Sequence, residues 1–403
     1  MLDNMMINRF KSGFSGQALP LSVRFWNGEI LCFGENDRVR LSLNSSKAAV
    51  SLSQPTLGKF ARCYVEGEID LEGDIHDILD LGERLCTEGE CLTQDKKGSH
   101  AWKWWRHTRL RDRKNIGYHY DVSNDFYALW LDQKRVYSCA YFRHPDDTLD
   151  VAQEAKLDHI CKKLMLRPGE SLLDIGCGWG GLVLWAAQHY DVRAVGITLS
   201  QNQHDYVQEQ IKSRGLEGRV EVRLMDYRDV PTDIQFDKIA SVGMFEHVGH
   251  GNLNTYFDKI FSLLKPGGLV MNHGITAAGL DTSGLGNGIS EFIDDYVFPG
   301  GELVHASRVI ESLARSGLEC LDAENLRPHY ARTLWQWVHR LEARSSEARR
   351  LIGEQKYRIW RIYMAGSAHA FERGWMALFQ VLAGKPRDNG SLPYPFTRDH
   401  VYR

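Results

Sequence analysis

Three polar side chains follow apolar, strand-like runs of the sequence: Asp226, Glu246 and His273. Because parallel strands bring their carboxyl ends to one edge of a sheet, where open α/β sheets bind ligands, we treat these residues as one candidate site. His247 and His250 follow Glu246 and add residue types that bind metals. Their order lacks the H-E-x-x-H pattern and the run is not a predicted helix, so no metal site is predicted.

A glycine-rich turn marks a second candidate site. Residues 171–187 predict a buried strand that ends at Asp174, a turn with Gly176, Gly178 and Gly180, and then a helix. Glycine lets the backbone approach a ligand closely because no Cβ intervenes. The turn therefore favours a nucleotide-like ligand, either a dinucleotide or a methyl donor that has no phosphate. On glycine spacing alone, an ordinary tight turn remains an alternative.

An alternation of strand-like and helix-like segments positions both sites. From residue 149 onward, a helix and five apolar runs separated by helix-length segments predict right-handed βαβ units and a parallel sheet. Residues 276–317 interrupt this alternation, and we predict an insertion with a mobile lid over the carboxyl edge of the sheet. The last apolar run, MALFQVLAG, is predicted to be an antiparallel strand at the edge of the sheet.

Residues 1–95 predict a small α+β domain. Asn27-Gly28 between two β-rich runs predicts a hairpin, and alternation over 39–45 predicts a strand. The run KAAVSLS is predicted to be a further strand. Asp74 is predicted to cap a helix over 75–85.

A basic and aromatic segment, residues 96–117, is predicted to link this domain to a catalytic domain over 118–403. Residues 96–114 hold eight Lys or Arg, one acidic residue and three tryptophans. A solvated linker and an anchor on anionic lipid both fit this composition. The whole chain of 403 residues has a net charge of −3, which gives no general electrostatic case for binding nucleic acid.

The remaining composition excludes several classes. The sequence has no run of 18 apolar residues, so no membrane-spanning helix is predicted. Its first residues lack the apolar core of a signal peptide, and we expect a cytoplasmic protein. Eight cysteines without a C-x-x-C pair argue against a zinc knuckle or a redox dithiol.

Nine short motifs resemble those of the cyclopropane-fatty-acyl-phospholipid synthases and, more distantly, of the mycolic acid cyclopropane synthases. They occur in the family's order over about residues 115–385: HYDVSNDFY, YSCAYF, LLDIGCGWGG, GITLSQNQ, MDYRDV, GMFEHVGHGN, NHGIT, FPGGEL and HYARTL. The resemblance implies an α/β fold with a Rossmann-like sheet of the S-adenosylmethionine-dependent methyltransferases and helical insertions. It also implies that the small N-terminal α+β domain is an accessory, lipid-interacting domain.

The reaction implied by this resemblance is methylene transfer from S-adenosylmethionine across a cis double bond of a phospholipid acyl chain. The resemblance also implies a bound bicarbonate as the base, held by Cys139, Glu246, His273, Tyr330 and the backbone at Ile275. Aromatic faces stabilise a carbocation intermediate. Candidates for this role are Tyr120, Tyr137 and Phe142.

The same resemblance assigns cofactor contacts. Gly176, Gly178 and Gly180, after Asp174, match the loop under the methionine part of the donor. The remaining matches cover the cofactor, bind its ribose or lie at its adenine end, and they are Tyr137, Ser138, Thr198, Leu199, Gln203, Asp226 and Tyr227. No acidic residue follows the second strand, where many methyltransferases bind the ribose.

The expected partners are a membrane phospholipid with unsaturated acyl chains and the anionic inner face of the membrane. Paired subunits, as a homodimer, would suit an enzyme that works on a flat bilayer. Two alternatives stay open. A relative that forms methylene-branched or methyl-branched chains differs only in where the carbocation loses its proton. A lipid-binding protein with an inactive methyltransferase domain would not bind the donor.

Overall fold

The computed structural model describes residues 7, 19–52, 56–87, 123–280, 288–298 and 301–402. Tyr120 and the basic segment 96–117 lie outside the described residues. By internal contacts the chain divides into two compact units. The first unit comprises residues 1–99, 283–299 and 341–369, and the second comprises 100–282, 300–340 and 370–403. The division into 1–95, 96–117 and 118–403 stays a prediction. The division by internal contacts is different, because it places two later segments in the same unit as the N-terminal residues.

The first unit contains a four-stranded sheet in the order β2-β1-β3-β4. Strands β1 (Leu21–Arg24) and β2 (Ile30–Cys32) form the predicted antiparallel hairpin. Gly28 in its turn has φ 88°, a conformation that glycine adopts without strain. Strand β3 (Val39–Leu43) pairs parallel to β1, and β4 (Ile69–Gly73) pairs antiparallel to β3.

The helices of the first unit correct one prediction. KAAVSLS was predicted to be a strand, but this stretch lies in helix α1 (Ser46–Ser51) and the residues that follow it. Ser45 caps this helix by accepting a hydrogen bond from Ala48 N at 3.2 Å. With this cap, the run of small residues forms a helix and not a strand. Helices α2 (Leu57–Val65) and α3 (Ile75–Thr87) follow, and Asp74 caps α3 as predicted.

The second unit is built on a seven-stranded sheet within the described residues, in the order β10-β11-β9-β8-β5-β6-β7. The strands are β5 (Ser171–Ile175), β6 (Arg193–Thr198), β7 (Val220–Leu224), β8 (Phe236–Val242), β9 (Leu264–Ala277), β10 (Glu319–Asn325) and β11 (Met376–Gly384). Strands β5 to β9 are parallel, which confirms the predicted βαβ sheet. Strand β11 is antiparallel as predicted, but it lies between β9 and β10 and not at the edge.

Helices cover both faces of this sheet. The α-helices that lie wholly or mainly in the second unit are α4 (Asn124–Ala128), α5 (Leu149–Lys163), α6 (Gly181–Tyr190), α7 (Gln201–Ser213), α8 (Leu253–Leu263), α10 (Ala306–Arg315), α11 (Arg327–Ala343) and α13 (Asp399–Tyr402). Helix α9 (Ile289–Tyr296) and most of α12 (Ser345–Glu372) belong to the first unit. Neighbouring residues Leu172 and Leu173 of β5 belong to different hydrophobic clusters, one with α5, α6 and α7 and the other with α8 and α10. Among the described residues, no helix is both long and apolar enough to span a bilayer.

The observed strands end at different residues from the predicted ones, so Glu246 and His273 do not lie directly at strand ends. Strand β7 ends at Leu224 and β8 at Val242, so Glu246 lies beyond β8 in a short 3-10 helix, Phe245–His247. His273 lies inside β9, which continues to Ala277. Gly243, with φ 67°, redirects the chain between β8 and the turn that carries Glu246.

Candidate functional site

A cavity of about 150 Å³ opens at the carboxyl ends of β5, β6 and β8 in the second unit. Nine of the predicted cofactor residues line it: Tyr137, Ser138, Asp174, Gly176, Gly178, Thr198, Leu199, Gln203 and Tyr227. Gly180 and Asp226 do not. The motifs at the strand ends therefore converge on one concave site, as expected for ligands of open α/β sheets.

The glycine loop forms one wall of this cavity. Gly176, Gly178 and Gly180 have φ of 82°, 54° and 81°, which residues with a Cβ adopt only with strain. A Cβ on Gly178 would meet no atom within 4 Å, whereas one on Gly180 would lie 2.9 Å from Val207 Cγ2. Gly180 precedes α6 as its N-terminal cap. The loop therefore needs glycine at both positions for its backbone conformation. At Gly180 it also needs glycine because a side chain there would collide with Val207.

A neutral segment after β6 forms another part of the cavity wall. Thr198 Oγ1 donates a hydrogen bond to Gln203 Oε1 at 2.8 Å, and Ser200 Oγ accepts from Gln203 N at 3.4 Å. Both Thr198 and Gln203 are buried. This part of the cavity wall therefore presents hydroxyl and amide groups.

Asp226 is engaged elsewhere. Its carboxylate accepts hydrogen bonds from Arg228 Nε at 2.8 Å and Arg228 Nη2 at 2.6 Å. Tyr227 beside it does line the cavity. Of the two residues predicted at the adenine end, the structure brings only Tyr227 to the cavity wall.

Asp174 is a buried acid in the cavity wall. Its exposed fraction is 2%, and Oδ1 has no hydrogen-bond partner among the described residues. Burial raises the pKa of Asp174 to about 7, although the nearby Lys156 ammonium lowers it in part. The folded protein therefore resists ionisation of this carboxyl group.

We expect Asp174→Asn to become progressively more stable than the wild type as the pH rises. The pKa of Asp174 is higher in the folded than in the unfolded chain, so ionisation takes stability from the wild type between about pH 4 and pH 7. The difference in unfolding free energy should grow by about 2 kcal/mol between pH 5 and pH 8. Denaturant unfolding at both pH values measures it.

Asp237 offers a control of opposite sign. Burial alone would raise the pKa of Asp237, but hydrogen bonds from Lys265 and Ser171 lower it. Asp237→Asn should therefore lose stability relative to the wild type on going from low to neutral pH. A constant difference for Asp174→Asn at all pH values would contradict the assignment of a raised pKa.

Glu246 lies in the turn whose residues Met244 and His247 line the cavity. Its Oε1 accepts a hydrogen bond from Ile275 N at 2.7 Å. Its Oε2 is buried without a partner among the described residues, although part of the residue is accessible. Burial raises the pKa of Glu246 to about 7. Near neutral pH this carboxyl group can therefore either donate or accept a proton.

His273 is also buried, with an exposed fraction of 1%. Its Nδ1 lies 3.1 Å from Gln380 Nε2, and its Nε2 has no partner among the described residues. Burial and the neighbouring Lys156 lower the pKa of His273, so the imidazole is neutral. In this amide orientation Gln380 donates to Nδ1, and the proton of the ring is on Nε2.

Backbone bonds connect the remaining predicted catalytic residues. Ile275 on β9 pairs with Leu378 on β11, whose carbonyl accepts from Leu326 N at 2.8 Å. The Leu326 carbonyl in turn accepts from Tyr330 N at 3.1 Å and from the Cys139 thiol at 3.9 Å. Burial raises the pKa of Cys139 well above its usual range, so it remains a thiol. Ile275, Tyr330 and Cys139 are therefore linked through the backbone around Leu326 and Leu378.

Aromatic rings extend from the cavity toward Tyr330. The Trp337 ring lies 5.2 Å from that of Tyr137 and 6.1 Å from that of Tyr330. Phe142 instead packs its face against the Arg332 guanidinium at 4.4 Å. The sequence prediction missed Trp337, whose signal is its spacing of two helical turns from Tyr330 in α11. It also missed Lys156 and Trp179, which line the cavity.

One group of described residues has metal-ligand types within 4.8 Å of one another: Asp80, Glu83 and His369 of the first unit. His369 Nε2 lies 2.9 Å from Glu83 Oε2. A carboxylate–imidazole hydrogen bond accounts for this arrangement without an ion.

Comparisons with known proteins agree on one class. Residues 107–381 match the family model for mycolic acid cyclopropane synthetase, and residues 6–85 match a domain of unknown function. A probable fatty acid methyltransferase of Pseudomonas putida is 46% identical over 389 residues, which are 96% of this chain and 97% of that protein. The cyclopropane-fatty-acyl-phospholipid synthase of Escherichia coli K12 is 39% identical over 272 residues, 68% of each chain.

Solved structures give the same result. A cyclopropane synthase from Mycobacterium tuberculosis is 36% identical, with a TM-score of 0.64 over 68% of this chain and 98% of that one. A mycolic acid cyclopropane synthase complexed with SAH and CTAB is 34% identical, with a TM-score of 0.63 over 72% and 100% of the two chains.

Proposed function

Because the chain belongs to the mycolic acid cyclopropane synthetase family of S-adenosylmethionine-dependent methyltransferases, we propose that it transfers a methylene across the cis double bond of an acyl chain in a membrane phospholipid. The observation that carries this proposal is the buried Glu246 Oε2, which has no partner among the described residues and belongs to a turn of the cavity wall. Ring closure must remove a proton from the transferred carbon. Glu246 exchanges protons near neutral pH beside the donor cavity, so it can pass on the proton that the base takes up.

The acceptor determines what the protein must do first. An isolated double bond has no lone pair and no acidic proton, so no base can activate it before attack. The protein must instead hold it in line with the donor methyl group. Attack leaves a carbocation. We assign its stabilisation to the ring of Tyr137, which lines the cavity and has the Trp337 ring 5.2 Å away.

The proposed base is a bicarbonate ion, which when bound would accept the proton lost on ring closure. Two buried atoms fit such an ion, since Glu246 Oε2 and His273 Nε2 lack partners among the described residues. A protonated Glu246 and the Nε2–H of neutral His273 can both donate to an anion, and a buried anion needs several donors. Cys139 and the Ile275 N–H already donate to protein oxygens, so we assign them to positioning the cradle.

A second product class is favoured by one comparison. The Pseudomonas putida relative, which is similar over nearly its whole length, is named a probable fatty acid methyltransferase. Loss of the proton from a carbon of the acyl chain would give a methyl-branched alkene in place of a ring. A methylene branch would form if a 1,2-hydride shift moved the positive charge to the methylated carbon before the transferred carbon lost its proton. The ring and the branches differ in which carbon carries the positive charge and in which carbon loses its proton to the base.

Product analysis tests the proposal. The protein is incubated with labelled S-adenosylmethionine and vesicles of a cis-unsaturated phospholipid, and the released acyl chains are analysed by mass spectrometry and NMR. We expect cyclopropane rings, and no label in saturated vesicles. Branched chains would establish the second product class. Binding of S-adenosylhomocysteine without any transfer would contradict both, and absence of binding would support a lipid-binding protein with an inactive methyltransferase domain.

We further propose that the protein associates peripherally with the cytoplasmic face of the membrane, as a homodimer, with the basic segment 96–117 as anchor. Neutralising Arg109, Arg111 and Arg113 should then weaken binding to anionic vesicles by roughly 1 kcal/mol per charge at low salt, and by less at high salt. Vesicle sedimentation measures this binding, and neutral vesicles provide the control. Unchanged binding to anionic vesicles would make the segment a linker.

A further inference from the structure

A buried cation in the cavity wall has no role in the reaction described above. Lys156 on α5 has an exposed fraction of 1% and lines the cavity. Its Nζ donates a hydrogen bond to Ser138 Oγ at 2.8 Å and forms no ion pair with any described carboxylate. An ammonium group has three N–H donors, so two remain for another partner. A buried ammonium group with two unused donors can bind an anion.

The two acids that interact electrostatically with Lys156 form no ion pair with it. Asp132 uses its carboxylate to accept from Lys134 N at 2.9 Å and from Val136 N at 2.8 Å. Asp174 lies within electrostatic range of Lys156, but its Oδ1 has no partner among the described residues. The cavity wall therefore presents a buried cation and a buried acid that do not pair directly.

We propose that Lys156 binds the α-carboxylate of S-adenosylmethionine. This inference rests on the proposed methyl donor, whose carboxylate is its one anionic group. The donor also carries an α-ammonium group. Asp174 Oδ1, which has no partner in the described part of the chain, is an acceptor for it in the same wall. The cation and the acid thus match the two charges of the amino-acid end of the donor, and Ser138 orients the ammonium of Lys156.

Bicarbonate is the other anion that this site could meet. Cys139, which the family resemblance places in the bicarbonate cradle, lies within electrostatic range of Lys156. Lys156 nevertheless lines the donor cavity, whereas Cys139, Glu246 and His273 do not. We therefore assign Lys156 to the donor carboxylate, and a bicarbonate measurement distinguishes the two.

Two ligands that differ only in the carboxylate test this assignment. The intact protein is titrated calorimetrically with S-adenosylhomocysteine and with its decarboxylated analogue, which keeps the ammonium group. The wild type should prefer S-adenosylhomocysteine by at least about 30-fold. Lys156→Met should reduce that preference to under about 3-fold, because it lowers the affinity for S-adenosylhomocysteine and leaves the affinity for the analogue nearly unchanged.

Lys238→Met is the matched control, because Lys238 is also a buried lysine, with an exposed fraction of 5%, but does not line the cavity. It should keep the wild-type preference. The wild-type measurement needs no variant, so equal affinities there would overturn the inference even if Lys156→Met failed to fold. A retained preference in Lys156→Met, or a change only in the bicarbonate dependence of turnover, would also overturn it. Absence of any S-adenosylhomocysteine binding by the wild type would instead refute the proposed function.

Discussion

Glu246→Gln is expected to lower turnover by about 10²- to 10³-fold while binding of S-adenosylhomocysteine stays within about 3-fold of the wild type. The glutamine keeps an oxygen for the Ile275 N–H, which Glu246 Oε1 accepts at 2.7 Å. It replaces Oε2 by an amide that can neither ionise nor exchange a proton on the time scale of turnover. The substitution thus removes proton chemistry and preserves the bond between the turn and β9.

Label transfer to unsaturated vesicles measures turnover of this variant, and calorimetry measures donor binding. Glu170→Gln is the control, because Glu170 accepts a hydrogen bond from Arg167 N at 2.9 Å in a turn that does not line the cavity. It should keep turnover within about 3-fold. Wild-type turnover in Glu246→Gln would exclude Glu246 from the chemistry. A joint loss of turnover and donor binding would indicate a damaged turn.

The sheet was predictable because strand and helix signals alternate at regular spacing. The prediction for KAAVSLS was wrong, since a short run of small residues fits either period and the Ser45 cap decides it. The prediction that β11 forms the edge of the sheet was also wrong. Strand order depends on long-range pairing, in which β11 bonds to β9 and β10 at once, and local sequence does not encode that pairing.

The residues of the candidate site that follow strand ends were predictable from the sequence. The hydrogen-bond partners of individual side chains were less predictable. Thr198 and Gln203 meet in the cavity wall as expected. Asp226 follows β7 but is held by Arg228, two residues later, and sequence alone does not reveal that pairing. Lys156 was not predicted because it lies on α5 and not in the glycine loop. A lysine on a helix is normally expected to be exposed to solvent.

Alanine at Gly178 and alanine at Gly180 should damage the protein in different ways. Both positions have positive φ, 54° and 81°, so each alanine adds roughly 1–2 kcal/mol of backbone strain. At Gly180 the new Cβ would lie 2.9 Å from Val207 Cγ2, and the unfolding free energy should fall by about 2–4 kcal/mol. At Gly178 it would meet no protein atom within 4 Å, so stability should fall by strain alone.

Ligand binding should show the opposite order for these two variants. Because Gly178 lines the cavity, its methyl group would enter space that the donor needs, and we expect affinity for S-adenosylhomocysteine to fall about 10- to 100-fold. Gly218→Ala is the control for strain, since Gly218 has φ 78°, an open Cβ direction and no place in the cavity wall. Denaturant unfolding and calorimetry on all three variants separate strain, packing and occupancy. Wild-type affinity in Gly178→Ala would mean that the donor does not lie against the glycine loop, because a ligand in contact with that backbone leaves no room for a methyl group.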